Sequence, residues 1–131
     1  MDGIRWAWNL LSSSWFASLL VQYQVARVDA VLRKEMGIAD GLADPSVLVL
    51  DPCCGTGTYL IEVLAHIAST MKAKGGGALV AAKVKKAAMT KVFGFEILPA
   101  PFVVSHLQLG LLLQRLGSPL RNISNERPRC S

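Results

Sequence analysis

Residues 47–64 read VLVLDPCCGTGTYLIEVL. An apolar run ends in an acid and a proline, breaks into small residues, and resumes as a second apolar run. Val47, Leu48, Val49 and Leu50 are apolar on both faces of an extended chain, as expected of a strand covered on two sides, usually in a parallel sheet. Leu60, Leu64, Ile67 and Met71 then recur at helical spacing, which predicts a helix over residues 57–72. Strand, small-residue turn and helix in that order form the opening half of a βαβ unit.

The same reading extends outward. Val21, Val25, Val28, Leu32 and Met36 predict a helix over residues 16–36, stopped by Gly37. The stretch GIADGLADPS, residues 37–46, is a loop. Residues 72–91 hold six lysines and no acid, with Gly75-Gly76-Gly77 near the front. They read as an exposed connection with a short amphipathic helix, or as a phosphate-binding patch lacking interleaved aromatics to stack on bases. Residues 91–96, KVFGFE, predict a second buried strand ending in an acid. Pro99 and Pro101 open a helix that is apolar nearly all round, and Gly117 and Pro119 end it. The fold class is α/β with about two parallel strands flanked by helices. The chain divides into an atypical lead-in over 1–15, an α/β domain over 16–117 and a tail over 118–131 that has no periodicity and is expected to be unstructured.

Composition sets the limits. At 131 residues, 52% hydrophobic and 18% charged, the chain suits one ordered domain with a modest core. A net charge of +5 permits an acidic partner without demanding one. Cys53, Cys54 and Cys130 offer neither a disulfide framework nor a zinc ligand set, and they suit a reducing cytoplasm. Residues 6–26 carry no charge, but Asn9, Gln22, Gln24 and four serines make them too polar for the ~20 apolar residues of a membrane span. His106 interrupts an apolar helix and reads as a hydrogen-bonded core or interface histidine. His66 lies opposite the apolar stripe and reads as solvated.

The turn itself has the make-up of a binding device. A parallel strand delivers its last residue to the sheet edge where open α/β folds place ligands, so Asp51 points its carboxylate toward that crevice. Pro52 stiffens the exit. Gly55 and Gly57 let the backbone turn sharply and approach a ligand. No lysine follows either glycine as a Walker loop requires, and Leu60 stands where a dinucleotide fingerprint has its third glycine. An acid before the loop, with no lysine within it, suits a ligand bearing a positive amino group, such as the methionine end of S-adenosylmethionine. Glu96 is then placed to accept hydrogen bonds from a ribose. Read structurally, D-P-x-x-G-x-G is a tight strand-to-helix turn and no more.

The stretch VLVLDPCCGTGTYLIEVL resembles the cofactor loop of the adenine-N6 DNA methyltransferases, D-P-[AC]-[CT]-G-[ST]-G-x-[FY]-L. The stretch VFGFEILPAPFVVSHLQLGLLLQ is similar to the acidic-strand segment that follows it, in the form found in the methylase region of type ISP restriction–modification enzymes. The resemblance covers residues 28–116. It implies a partial methyltransferase fold of Rossmann-like type and S-adenosylmethionine as cofactor. It assigns Asp51, Gly55 and Gly57 to the methionine part, Glu96 to the ribose hydroxyls and Ile97 to the adenine ring, with Pro52 counted among the cofactor-binding residues. Cys53, Cys54 and Thr56 fall within the loop. DNA is the implied substrate of such a family.

One departure limits what this chain does alone. The family's catalytic motif, [DNS]-P-P-[YFW], is absent, so no residue here is assigned to catalysis. The upstream Y-T-P-type segment is absent too, with WAWNLLSSSWF in its place. The expectation is therefore a cofactor-binding portion, inactive by itself, with the pattern of a gene fragment, frameshift product or split subunit. The alternative is a non-catalytic remnant or interaction module that pairs with a complementary chain through an exposed sheet edge. A nucleotide-binding oxidoreductase is disfavoured by Leu60 and by length.

Overall fold

The computed structural model describes residues 14–120 and 129–130. Residues 1–13, most of the lead-in over 1–15, lie outside the described residues. Helix α1 (Ser14–Lys34) is followed by a short 3-10 turn (Gly41–Ala43), strand β1 (Val49–Asp51) and helix α2 (Thr58–Ala73). Helix α3 (Leu79–Thr90), strand β2 (Val92–Gly94), helix α4 (Pro99–Arg115) and the short strand β3 (Arg129–Cys130) complete the order.

The sheet order is β1-β2-β3, with both pairs parallel. Val49 pairs with Val92 and Asp51 with Gly94, so β1 and β2 end level with one another. The ladder continues beyond them: Phe95 N–H donates to the Asp51 carbonyl at 2.9 Å, and Cys54 N–H to the Phe95 carbonyl at 2.9 Å. The third strand departs, at Arg129 and Cys130 alone, from the expectation of an unstructured tail. Arg129 and Cys130 pair with Phe93 and Gly94, because an inner strand with one unpaired edge offers backbone groups to any extended segment, whatever its periodicity.

Helix α2 is the hub, packed against α1, the 3-10 turn, α3, α4 and β2. Its Leu60, Leu64 and Ile67 are fully buried together with Val84 of α3 and Leu113 of α4. The helix stops are built alike. Gly75 takes φ +76° while its N–H reaches the Lys72 carbonyl and Gly76 N–H reaches Met71. Gly117 takes φ +84°, with N–H bonds from Gly117 to Gln114 and from Ser118 to Leu113. Both are Schellman caps, which need a left-handed residue and so a glycine.

Coverage of the sheet differs from expectation. Val49 and Val92 turn toward the helices, whereas Leu48 and Leu50 are exposed on the other side of β1. The unbroken apolar run therefore marks a strand with one covered face and one bare face among the described residues. Along the open edge of β1 a groove of about 480 Å³ runs beside α1, lined largely by Val25, Val28, Leu32, Leu48 and Leu50.

A polar tie anchors α1. The buried Asp29 accepts hydrogen bonds from Arg33 Nε at 2.6 Å and from Leu42 N–H at 2.7 Å, and His66 Nε2 lies 3.2 Å from its carboxylate. His66 thus faces a buried acid and is not simply solvated. Burial pushes the Asp29 carboxyl up, but the bonds from Arg33, Leu42 and His66 outweigh it and hold the group below the usual aspartate value. Lys91 departs from the exposed reading of the lysine-rich insert. It is buried, with Nζ donating to the carbonyls of Leu42 at 2.8 Å and Asp44 at 2.7 Å, and burial lowers its pKa. Among the described residues no helix is long and apolar enough to cross a membrane.

Candidate functional site

The chain turns directly after β1. Cys53 N–H donates to Asp51 Oδ1 at 3.1 Å, closing an Asx turn that fixes the carboxylate at the strand exit. The other oxygen, Oδ2, is buried without a hydrogen-bond partner. A buried carboxylate oxygen left unpaired costs more than ~1–3 kcal/mol, and such an atom in a folded protein calls for an explanation.

The two loop glycines have different tasks. Both hold positive φ, +54° at Gly55 and +86° at Gly57. A β-carbon at Gly57 would stand 3.0 Å from the Cβ of Ser105 on α4, so this position is small because two elements touch there. A β-carbon at Gly55 would meet nothing within 4 Å. Open space above a left-handed glycine leaves its backbone bare to a ligand. Helix α2 begins immediately after, with Gly57 as a cap that contributes no side chain, so its first N–H groups face the same edge.

Glu96 closes the loop from the segment that follows β2. Its Oε2 accepts from Gly55 N–H at 3.0 Å and its Oε1 from Leu98 N–H at 2.8 Å. Each carboxylate oxygen keeps a second lone-pair site, so both can still accept from a ligand hydroxyl. Asp51, the loop and Glu96, distant in sequence, are brought together at one end of the sheet. Pro52, Cys53 and Thr56 lie on the exposed surface of the turn, and Thr56 Oγ1 sits 3.5 Å from Thr58 Oγ1. Cys54 is buried beneath. Ile97 is 96% exposed, and Phe95 is half exposed.

Two residues that the sequence pattern did not single out prove structural to the site. A β-carbon at Gly94 would lie 2.7 Å from Leu60 Cδ1 and 3.0 Å from Cys54 Sγ. The close packing that a dinucleotide fold obtains from a third glycine on the helix is obtained here from glycine on the strand, leaving room for Leu60. Ser105, fully buried with Oγ donating to the Phe102 carbonyl at 2.8 Å, provides the other small surface, against Gly57. A glycine inside a strand and a small polar residue inside an apolar helix are both readable signals of close approach. Tyr59, the aromatic of the loop motif, donates from its hydroxyl to Gln24 of α1. His106 is half-buried, edge-on to Phe102 with ring centroids 4.5 Å apart. Among the described residues no cluster of His, Cys, Asp and Glu is arranged to hold a metal ion.

Comparison with solved structures sets this architecture in context. The chain superimposes on the type ISP restriction–modification enzyme LlaGI, a nuclease-deletion mutant in complex with a DNA substrate mimic, with TM-score 0.65 and 24% identity over 78% of its length. It matches the ATP-dependent type ISP restriction–modification enzyme LlaBIII bound to DNA with TM-score 0.64 and 28% identity over 74%. It matches DrdV in its DNA complex with TM-score 0.63 and 22% identity over 79%. The chain shares its fold with a segment of restriction–modification enzymes. That segment is a small part of each, 8% of LlaGI, 6% of LlaBIII and 9% of DrdV. No protein-family profile and no curated protein matches the chain.

Proposed function

We propose that this chain is the cofactor-binding portion of an adenine-N6 DNA methyltransferase of the restriction–modification type. The observation that carries this reading is the unpaired, buried Oδ2 of Asp51 beside the bare backbone of Gly55. These residues fit S-adenosylmethionine, which when bound supplies a methyl group activated on a sulfonium. Asp51 Oδ2 accepts a hydrogen bond from the ligand's ammonium, gaining the partner it lacks. Gly55 admits the amino-acid part against its backbone. Glu96 braces the loop through Gly55 N–H and offers its remaining lone pairs to ribose hydroxyls. Ile97 and Phe95, both exposed, supply apolar surface for the adenine ring. Pro52, Cys53 and Thr56 border the same turn.

The residues that would grip a target adenine are a separate matter. An exocyclic amine must be bonded by a polar side chain and a carbonyl while the extruded base stacks on an aromatic ring. The proline-pair tetrapeptide that does this in the resembling family does not occur in the sequence. The chain alone therefore binds cofactor without turnover, and DNA is the substrate only of an assembly that supplies the missing motif.

Calorimetric titration with S-adenosylhomocysteine tests the reading. Wild type is expected to release binding heat that is lost in Asp51→Ala, while far-UV circular dichroism stays the same. Equal heats from the two proteins, or no heat from wild type, would overturn it. A second reading, an interaction module that pairs with a complementary chain, is favoured by the exposed Leu48 and Leu50 at β1, whose outer edge has no partner strand among the described residues. It is supported if a chain carrying the proline-pair motif co-purifies with wild type but not with Leu50→Lys.

A further inference from the structure

The opposite end of the sheet carries a second concave surface. A groove of about 580 Å³ opens between the last turn of α2, the outer face of α3 and the segment that precedes β1. Its rim holds Lys74, Lys83 and Lys86, with the hydroxyl residues Thr70 and Thr90 between them. Asp40 is the one acid on that rim, and it is engaged by Lys74. Lys91 lies in the floor, held by backbone carbonyls. Lys83 and Lys86 remain, exposed and with no ion pair or hydrogen bond to their ammonium groups among the described residues.

The groove owes its shape to the glycine run. Gly75 ends α2 in a left-handed conformation, and a β-carbon at Gly76 would meet the Met71 carbonyl at 2.8 Å, so α3 folds back closely along α2. One turn of α3 then carries both cations toward the same opening. The other face of α3, with Val80, Val84, Ala87 and Ala88, is buried in the core and unavailable to a lipid bilayer. A surface-binding amphipathic helix needs that apolar face free. The groove also lacks the aromatic and arginine anchors typical of protein interfaces, and it has no ring on which a base would stack. Paired cations flanked by hydroxyls in a concave surface match a repeating, backbone-borne negative charge.

We infer that this groove docks the sugar–phosphate backbone of duplex nucleic acid through Lys83 and Lys86, without reading base sequence. The groove lies at the opposite strand ends from Asp51 and Glu96, so this inference and the cofactor reading can fail independently. The test is fluorescence anisotropy of the full chain with labelled random-sequence duplex DNA between about 50 and 200 mM salt. Wild type is expected to bind, with log affinity falling linearly with log salt. Lys83→Ala/Lys86→Ala should weaken binding at least ~10-fold at the lowest salt and reduce that slope by about 2, one for each phosphate no longer neutralised. Arg27→Ala/Lys34→Ala removes the same charge from exposed positions on α1 and should leave the slope unchanged. Circular dichroism verifies that both variants fold. Absence of DNA binding at about 50 mM salt, or equal losses in the two double variants, would overturn the inference. So would equal loss of binding to anionic phospholipid vesicles on changing Lys83 and Lys86.

Discussion

The glycines of the site separate fold from function one residue at a time. Gly55 and Gly57 share a left-handed backbone, but only Gly57 touches another element. Gly55→Ala is expected to cost ~1 kcal/mol, the penalty for a left-handed non-glycine residue, and to weaken S-adenosylhomocysteine binding at least ~10-fold by filling the open approach. Gly57→Ala adds a collision with Ser105 and should cost ~2 kcal/mol or more. Urea denaturation of the two variants, with a titration of the first, checks the pair. Asp51, Gly55 and Gly57 were legible in the sequence because a strand exit of this kind is encoded in seven contiguous residues. Gly94 and Ser105 were not, since what makes them matter is contact with Leu60, Cys54 and Gly57, which only the folded chain assembles.

At the scale of elements, the helices were largely readable because periodicity and glycine stops are local. What the pattern missed are polar groups whose partners come from elsewhere. Lys91 sits at the end of a lysine-rich run and looks solvated, but its Nζ is buried on the carbonyls of Leu42 and Asp44. His66 lies off the apolar stripe of α2 and meets Asp29 across the helix pair. The Asp29 tie makes a pH prediction with a definite sign. Its carboxyl is held below the usual value in the fold, so at low pH the unfolded chain takes up the proton first. Stability from this group is present above pH ~3.9 and is lost as pH falls through the folded-state value. Urea midpoints measured against pH should therefore fall more steeply on the acid side for wild type than for Asp29→Asn. Gly41 belongs to the same tie: a β-carbon there would lie 2.7 Å from Asp29 Cγ and 2.9 Å from Arg33 Nε, on a residue already at φ +53°. Gly41→Ala is expected to cost at least ~2 kcal/mol by the same denaturation assay.

At the scale of the molecule, the face and edge of β1 that nothing covers among the described residues dominate. Leu48 and Leu50 on the strand, with Val103, Leu107 and Leu111 on α4, expose apolar side chains that a sheet of this type ordinarily covers. The sequence read as a strand covered on both sides, and in hydrophobicity it is one. Coverage depends on further elements, which no local pattern can report. The purified chain is expected to self-associate with rising concentration, and Leu48→Lys/Leu50→Lys to shift it toward monomer without altering the response to S-adenosylhomocysteine. Analytical ultracentrifugation checks the first part and titration the second. Incubation with DNA and labelled S-adenosylmethionine is expected to give no methylation by this chain alone.

The relation between Asp51 and a cationic amino group is open to a test that changes ligand and protein together. Wild type and Asp51→Asn are titrated with S-adenosylhomocysteine and with 5′-methylthioadenosine, which lacks the amino-acid portion. A charge-assisted hydrogen bond of about 1.5–3 kcal/mol corresponds to wild type favouring the first ligand at least ~10-fold, with that preference collapsing in the variant. A preference of equal size in both proteins would contradict an Asp51 that holds the ligand's ammonium.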